Sequence, residues 1–202
     1  MGLFDGLKDT LFGRQKPVEA GPERLFAMST AQLTLETDQH LTAAGTAALC
    51  FKGVASGPFA SIQSDLEQLL QIASRDDDLT VRPFEDSYGY RWLVFGAKDF
   101  QALVTTIHMA SQTLMERGYG SQLLFAIFRF DDDQHRPIYW MYNYKRGLFY
   151  PFVPRPNSHD RTRTRDNPEE MRLAAAMGKE LPMEQELERW YPVWDLPLET
   201  GA

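Results

Sequence analysis

LTVRPFEDSYGYRWLVFGAKDFQALVTTIHMASQTLMERGYGSQLLFAIFRF, residues 79–130, is the stretch on which the fold turns. Two β-rich runs, 79–84 and 90–95, flank a polar turn at 85–89. The second run mixes aromatic and β-branched side chains, which suit a pleated surface. Pro83 puts the first run at a sheet edge or a strand end, because proline has no ladder donor. Over 98–117 the period changes. Phe100, Leu103, Val104, Ile107, Ala110 and Leu114 fall on one stripe of a helix. Gly118 and Gly120 then turn the chain. Residues 123–130 are apolar at almost every position, as in a central strand covered on both faces.

Upstream, 46–54 reads as a strand and 59–73 as an amphipathic helix. The helix carries Ile62, Leu66, Leu69 and Ala73 on one side, with Pro58 at its first position. From 46 to 130 the order is therefore strand, helix, strand, strand, helix, strand. That is the split βαβ, ferredoxin-like βαββαβ pattern, a two-layer α+β sandwich. The alternative is a secretion-chaperone-like α+β layer in which the first strand is lost.

The flanks extend this core. A short helix is expected over 23–28, and another through 37 capped by Ser29 or Thr30. Gly45 breaks the pattern. Downstream, 137–143 and 148–153 form a hairpin turned at Lys145, Arg146 and Gly147, which lengthens the sheet. Arg161, Arg163 and Arg165 mark an exposed loop. Asn167 can cap a helix with Pro168 at its start, through 177, and Gly178 ends it. A last helix is expected over 183–190, before Tyr191 and Trp194. The chain thus divides into an amphipathic segment (1–14), a linker (15–22), a core domain (23–153), and a loop with C-terminal helices packed on the core (154–202).

Composition narrows the function. The chain has 202 residues, 43% hydrophobic and 24% charged, which suits a globular domain able to bury a full core. The net charge of -7 opposes nucleic acid as the main partner. The single Cys50 excludes an internal disulfide framework and fits a reducing cytoplasm. No run is long and apolar enough to span a membrane, and the start lacks the basic and apolar regions of a secretory signal. Gly6 stands where a myristoylation pattern needs Ser or Thr.

At the N-terminus Leu3, Phe4, Leu7 and Leu11 recur at helical spacing, with Phe12 beside them. Two readings stay open. The stripe packs on the protein's own domain, or it docks on a partner or in a bilayer interface. Two prolines and a glycine in 15–22 stop the helix from continuing.

Catalytic motifs are missing. His40, His108, His135 and His159 have neither His-Glu-x-x-His spacing nor a Cys-x-x-Cys companion, so no metal site is expected. The acidic runs 76–78 and 131–133 lack the glycine and terminal glutamate of a calcium loop. No phosphate loop or nucleophile elbow occurs, and no cofactor is implied. An enzyme would need a site assembled in space around His108 and Cys50. The Arg161, Arg163 and Arg165 loop could contact an anion or a lipid headgroup, although nearby acids dilute its field. The aromatic hairpin 139–152 reads as sheet core, with the lining of a small-molecule pocket as the other use.

With these pieces in order, the chain resembles the PspAB family, PspA-associated proteins of the phage-shock, membrane-stress network. The resemblance rests on Glu85-Asp-Ser-Tyr-Gly-Tyr-Arg-Trp-Leu-Val, Tyr144-Lys-Arg-Gly-Leu-Phe-Tyr-Pro-Phe, Met1-Gly-Leu-Phe-Asp-Gly-Leu, Leu49-Cys-Phe-Lys, Leu103-Val-Thr-Thr-Ile-His and Arg189-Trp-Tyr-Pro-Val-Trp. It implies an adaptor or regulator, with no catalytic residues, that accompanies a PspA-like membrane-remodelling protein in the response to envelope stress. On periodicity, Leu3, Phe4, Leu7, Leu11 and Phe12 are the candidates for reaching that partner or the membrane surface.

Overall fold

A computed structural model describes residues 22–53, 79–155, 163–194 and 196–198. The expected N-terminal segment, most of the linker, the helix over 59–73 and Arg161 lie outside the described residues.

A 3-10 turn, Pro22–Phe26, runs straight into helix α1, Ala27–Thr37. Phe26, at the junction, is itself in the right-handed helical conformation, and no side chain caps the helix. The expected boundary at Ser29 or Thr30 is therefore not there. Met28, Ala31 and Leu35 form its buried stripe.

Strand β1 spans Thr42–Lys52 and begins earlier than the expected 46–54. Gly45, read as a break, lies inside it. Between Ala43 and Ala47 the pairing with the neighbouring strand shifts, and Gly45 takes φ 68° in that bulge. A Cβ there would meet the Ala97 carbonyl oxygen at 2.9 Å. Only glycine accepts both the left-handed backbone and the close approach.

Strands β2 (Thr80–Glu85) and β3 (Tyr90–Gly96) form the hairpin around the polar turn. Helix α2, Phe100–Glu116, starts at Asp99, whose side chain accepts from the Gln101 amide. Its buried stripe contains all six residues expected of it. Strands β4 (Leu123–Asp131), β5 (Pro137–Asn143) and β6 (Leu148–Phe152) follow. Helix α3, Asn167–Met177, is capped by Asp166 rather than Asn167, since it is the Asp166 carboxylate that accepts the Glu169 amide.

The six strands form one antiparallel sheet in the order β2-β3-β1-β4-β5-β6. The order 2-3-1-4 of the first four is that of the split βαβ pattern. The chaperone-like alternative fails, because β1 is paired on both sides, with β3 and with β4. At the β2 edge, the Asp86 amide donates to the Tyr90 carbonyl across the hairpin. Alternation of the ladder then turns the Pro83 nitrogen outward, where no donor is needed.

Alternation also splits the core into two layers. Leu49, Phe51, Phe95, Phe128 and Trp140 face the helices. Cys50, Trp92, Ile127, Tyr139, Tyr150 and Phe152 face the other way, toward Trp190, Leu196 and Leu198. A helix over 183–190 is not formed; the described helical structure there is a 3-10 turn, Leu187–Arg189. Beside β6, the Phe149 amide donates to the Pro182 carbonyl and the Glu184 amide to the Phe149 carbonyl. Those bonds draw the chain into extended form. It then crosses the second face as a strap. Arg82 donates to the Pro197 carbonyl and Arg129 to that of Leu198, at the far end of the crossing.

Candidate functional site: a groove at the lower end of the sheet

The strap is narrower than the sheet it covers. At the end where β1 and β5 finish and β4 begins, it leaves an open groove that continues past Met115 and Ser121 at the end of α2, about 1420 Å³ in all. The floor is the outward side of four adjacent strands, presenting Cys50, Trp92, Phe125 and Asn143. One wall is the strap itself, from Tyr191 to Trp194. The opposite wall is the β2–β3 turn, with Asp86, Tyr88 and Tyr90.

The turn is fixed by one carboxylate. Asp86 Oδ1 accepts from the Tyr88 and Tyr90 amides, each at 2.9 Å, and Oδ2 accepts from Trp92 Nε1 at 3.0 Å. Gly89, at φ 79°, closes the loop. Tyr88, on this fixed turn, is 80% exposed. Across the groove, Tyr191 is 52% exposed, and its carbonyl accepts from the Tyr150 hydroxyl.

Among the described residues, the groove lining holds four cations, Lys145, Arg146, Arg163 and Arg189, and one carboxylate, Asp86. Arg146 pairs with Glu184 and Glu186, and Arg189 with Glu186 at 2.7 Å. Lys145 is exposed, on the β5–β6 turn where sequence placed it, and forms no ion pair among the described residues.

The arginine loop divides. Arg163 is exposed at the groove rim. Arg165, read as part of a solvated loop, is turned inward. Its Nε pairs with Glu170 at 2.8 Å, its Nη1 donates to the Trp190 carbonyl at 2.6 Å, and its guanidinium lies 5.4 Å from the centre of the Phe152 ring. Glu170, which also accepts the Val153 amide at 2.8 Å, has its pKa raised by burial, with Arg165 acting in the opposite sense. The sequence did not show that Arg165 is internal, because the Trp190 carbonyl and the Phe152 ring that receive it lie elsewhere in the chain.

Cys50 and His108 do not meet. His108 sits on α2, its ring 4.5 Å from that of Phe26, on the helical side of the sheet. Cys50 points to the opposite side, 2% exposed, and burial pushes its thiol well above its ordinary value. The sheet separates the two, so the spatially assembled pair is not formed. The aromatic hairpin is core in both layers. Trp140, Tyr142 and Phe149 are buried under the helices, and Tyr139, Tyr150 and Phe152 under the strap. Among the described residues, no group of acidic, His and Cys side chains could hold a metal ion, and no helix is long and apolar enough to cross a membrane.

These features define an α+β sandwich with a helical layer on one face of an antiparallel sheet and an extended strap on the other. The chain belongs to the PspAB family, PspA associated protein B, whose family model matches residues 1–198. Comparison with curated proteins and with solved structures gave no match.

Proposed function

We propose that the protein is a non-enzymatic adaptor or regulator that works with a PspA-type membrane-remodelling protein in the envelope-stress response. The family's description over residues 1–198 carries this reading. The separation of Cys50 from His108 supports it, since a buried thiol without a base is a poor nucleophile. The working place is the cytoplasm, at the inner face of the membrane when the partner is there. The contact residues proposed are Leu3, Phe4, Leu7, Leu11 and Phe12, whose stripe suits helix docking or an interface. The loop at Arg161 and Arg163 is a secondary contact for anionic headgroups.

The test is capture of a PspA-like partner from native lysate by the full chain and by a chain lacking residues 1–14, with liposome flotation beside it. Loss of capture, with the far-ultraviolet circular dichroism unchanged, is the expected result. Equal capture by both chains would overturn the assignment of those residues. A truncated chain without near-ultraviolet signal would instead place the stripe in the core.

A further inference from the structure

We infer that the groove at the lower end of the sheet is a docking site for an acidic polypeptide segment bearing aromatic or branched apolar anchors. Three observations carry this.

The first is charge. The chain as a whole is acidic, at -7, yet the described groove lining holds Lys145, Arg146, Arg163 and Arg189 against Asp86 alone. The Asp86 oxygens are already engaged by three N–H groups of their own turn. Buried Glu184 and exposed Glu186 pair with Arg146 and Arg189, which offsets part of their charge. Lys145 is the cation on the rim without a described ion-pair partner. A few carboxylates therefore find complementary charge here, whereas the field does not extend over a surface.

The second is composition. Tyr88, Tyr90 and Tyr191 present partly exposed rings around the groove, above a floor containing Trp92 and Phe125. Tyrosine, tryptophan and arginine together are the residues enriched where protein segments bind, because they combine large apolar area with directional polar groups. The backbone that carries each of these tyrosines is held by hydrogen bonds. Tyr88 and Tyr90 belong to the Asp86 turn, and the Tyr191 backbone is bonded to Tyr150. A rim whose backbone is ordered before binding loses less entropy when it is covered.

The third is shape. The groove is an open trough that runs on past Met115 and Ser121 at the end of α2, unlike the enclosed cavity that buries a small molecule. It is concave, so a flat bilayer surface cannot reach its floor. A nucleic acid strand would continue beyond the cations onto an acidic protein, and its phosphates would then be repelled. A short acidic segment places its carboxylates at the rim and its apolar side chains between the tyrosines.

The test uses the full chain and fluorescence anisotropy with three labelled probes. One is a short peptide in which Phe and Leu alternate with Glu. The second carries Lys in place of each Glu, and the third is an oligothymidylate. The Glu peptide is expected to bind saturably and to weaken as salt is added. Lys145→Glu and, separately, Tyr88→Ala should each weaken it about tenfold. Both positions are exposed, and circular dichroism verifies folding; Tyr191→Ala is the substitute if either variant misfolds. Leu33→Ala, on the exposed side of α1 across the sheet, should leave binding unchanged. Equal binding of the Glu and Lys peptides, tighter binding of the oligothymidylate, no saturable binding, or indifference to the groove variants would each overturn the inference. The isolated chain is used, so the outcome is separate from whether residues 1–14 reach a PspA-like partner.

Discussion

Asp86 gathers three N–H groups onto one carboxylate, two from its own turn and one from the Trp92 indole on the adjoining strand. Removing that acceptor leaves a mostly buried indole donor and two amides to find water. Asp86→Ala should lower the unfolding free energy by about 1–3 kcal/mol in urea denaturation. Asp86→Asn should fall between the two, because one of its side-chain atoms becomes a donor facing the indole. No difference between Asp86→Ala and the parent would mean that the turn holds itself without the carboxylate. The polar turn was legible in the sequence, from Asp, Ser and Gly between two apolar runs. The bond to Trp92 was not, since it depends on which side of the sheet both side chains take. Arg165 gives the same lesson in reverse. A run of alternating arginines and threonines reads as solvent-facing, yet this arginine is turned inward by Glu170 on α3 and by the Trp190 carbonyl.

Elements whose fate is set by local chemistry were legible in outline. Helix α2 shows its stripe at the expected positions, and β4 is covered on both faces as its unbroken apolar run required. The ends were harder. Helix α3 takes its cap from Asp166, which the Arg155 guanidinium and the Glu169 amide both bond. The Arg155 bond is the main reason that this carboxyl lies below its ordinary 3.8. A carboxyl held low in the folded state contributes stability above its unfolded value, and that stability is lost as pH falls through the folded value. Asp166→Ala should therefore cost about 1 kcal/mol near neutrality and flatten the acid-side loss of stability below 3.8. A denaturation series from neutral to acid pH measures both, and parallel curves for parent and variant would contradict the linkage. The expected helix over 183–190 failed for a different reason. Its local pattern was acceptable, but the β6 edge offered backbone bonds at Phe149 that an extended chain fills and a helix cannot.

For the whole molecule, the second face of the sheet is closed by a strap, and Trp190 is its main anchor. The indole stacks on Tyr150 at 6.1 Å and donates to the Glu184 carbonyl at 3.0 Å. Trp190→Ala should lower stability by about 3–5 kcal/mol and raise the binding of an apolar dye as the face over Tyr150 opens. A variant that loses no stability and gains no dye binding would show that the strap is dispensable. The groove exists because a single extended segment cannot cover a six-stranded sheet. By itself the sequence determined the α+β class, the succession of strands along the chain and the positions of most turns. Those follow from periodicity, proline and glycine, all of which act within a few residues. Tertiary structure alone decided that Cys50 and His108 lie on opposite faces, that Arg165 is internal, and that Lys145, Tyr88 and Tyr191 surround one groove. Those relations join residues far apart in the chain, and only the pairing of strands and the path of the strap bring them together.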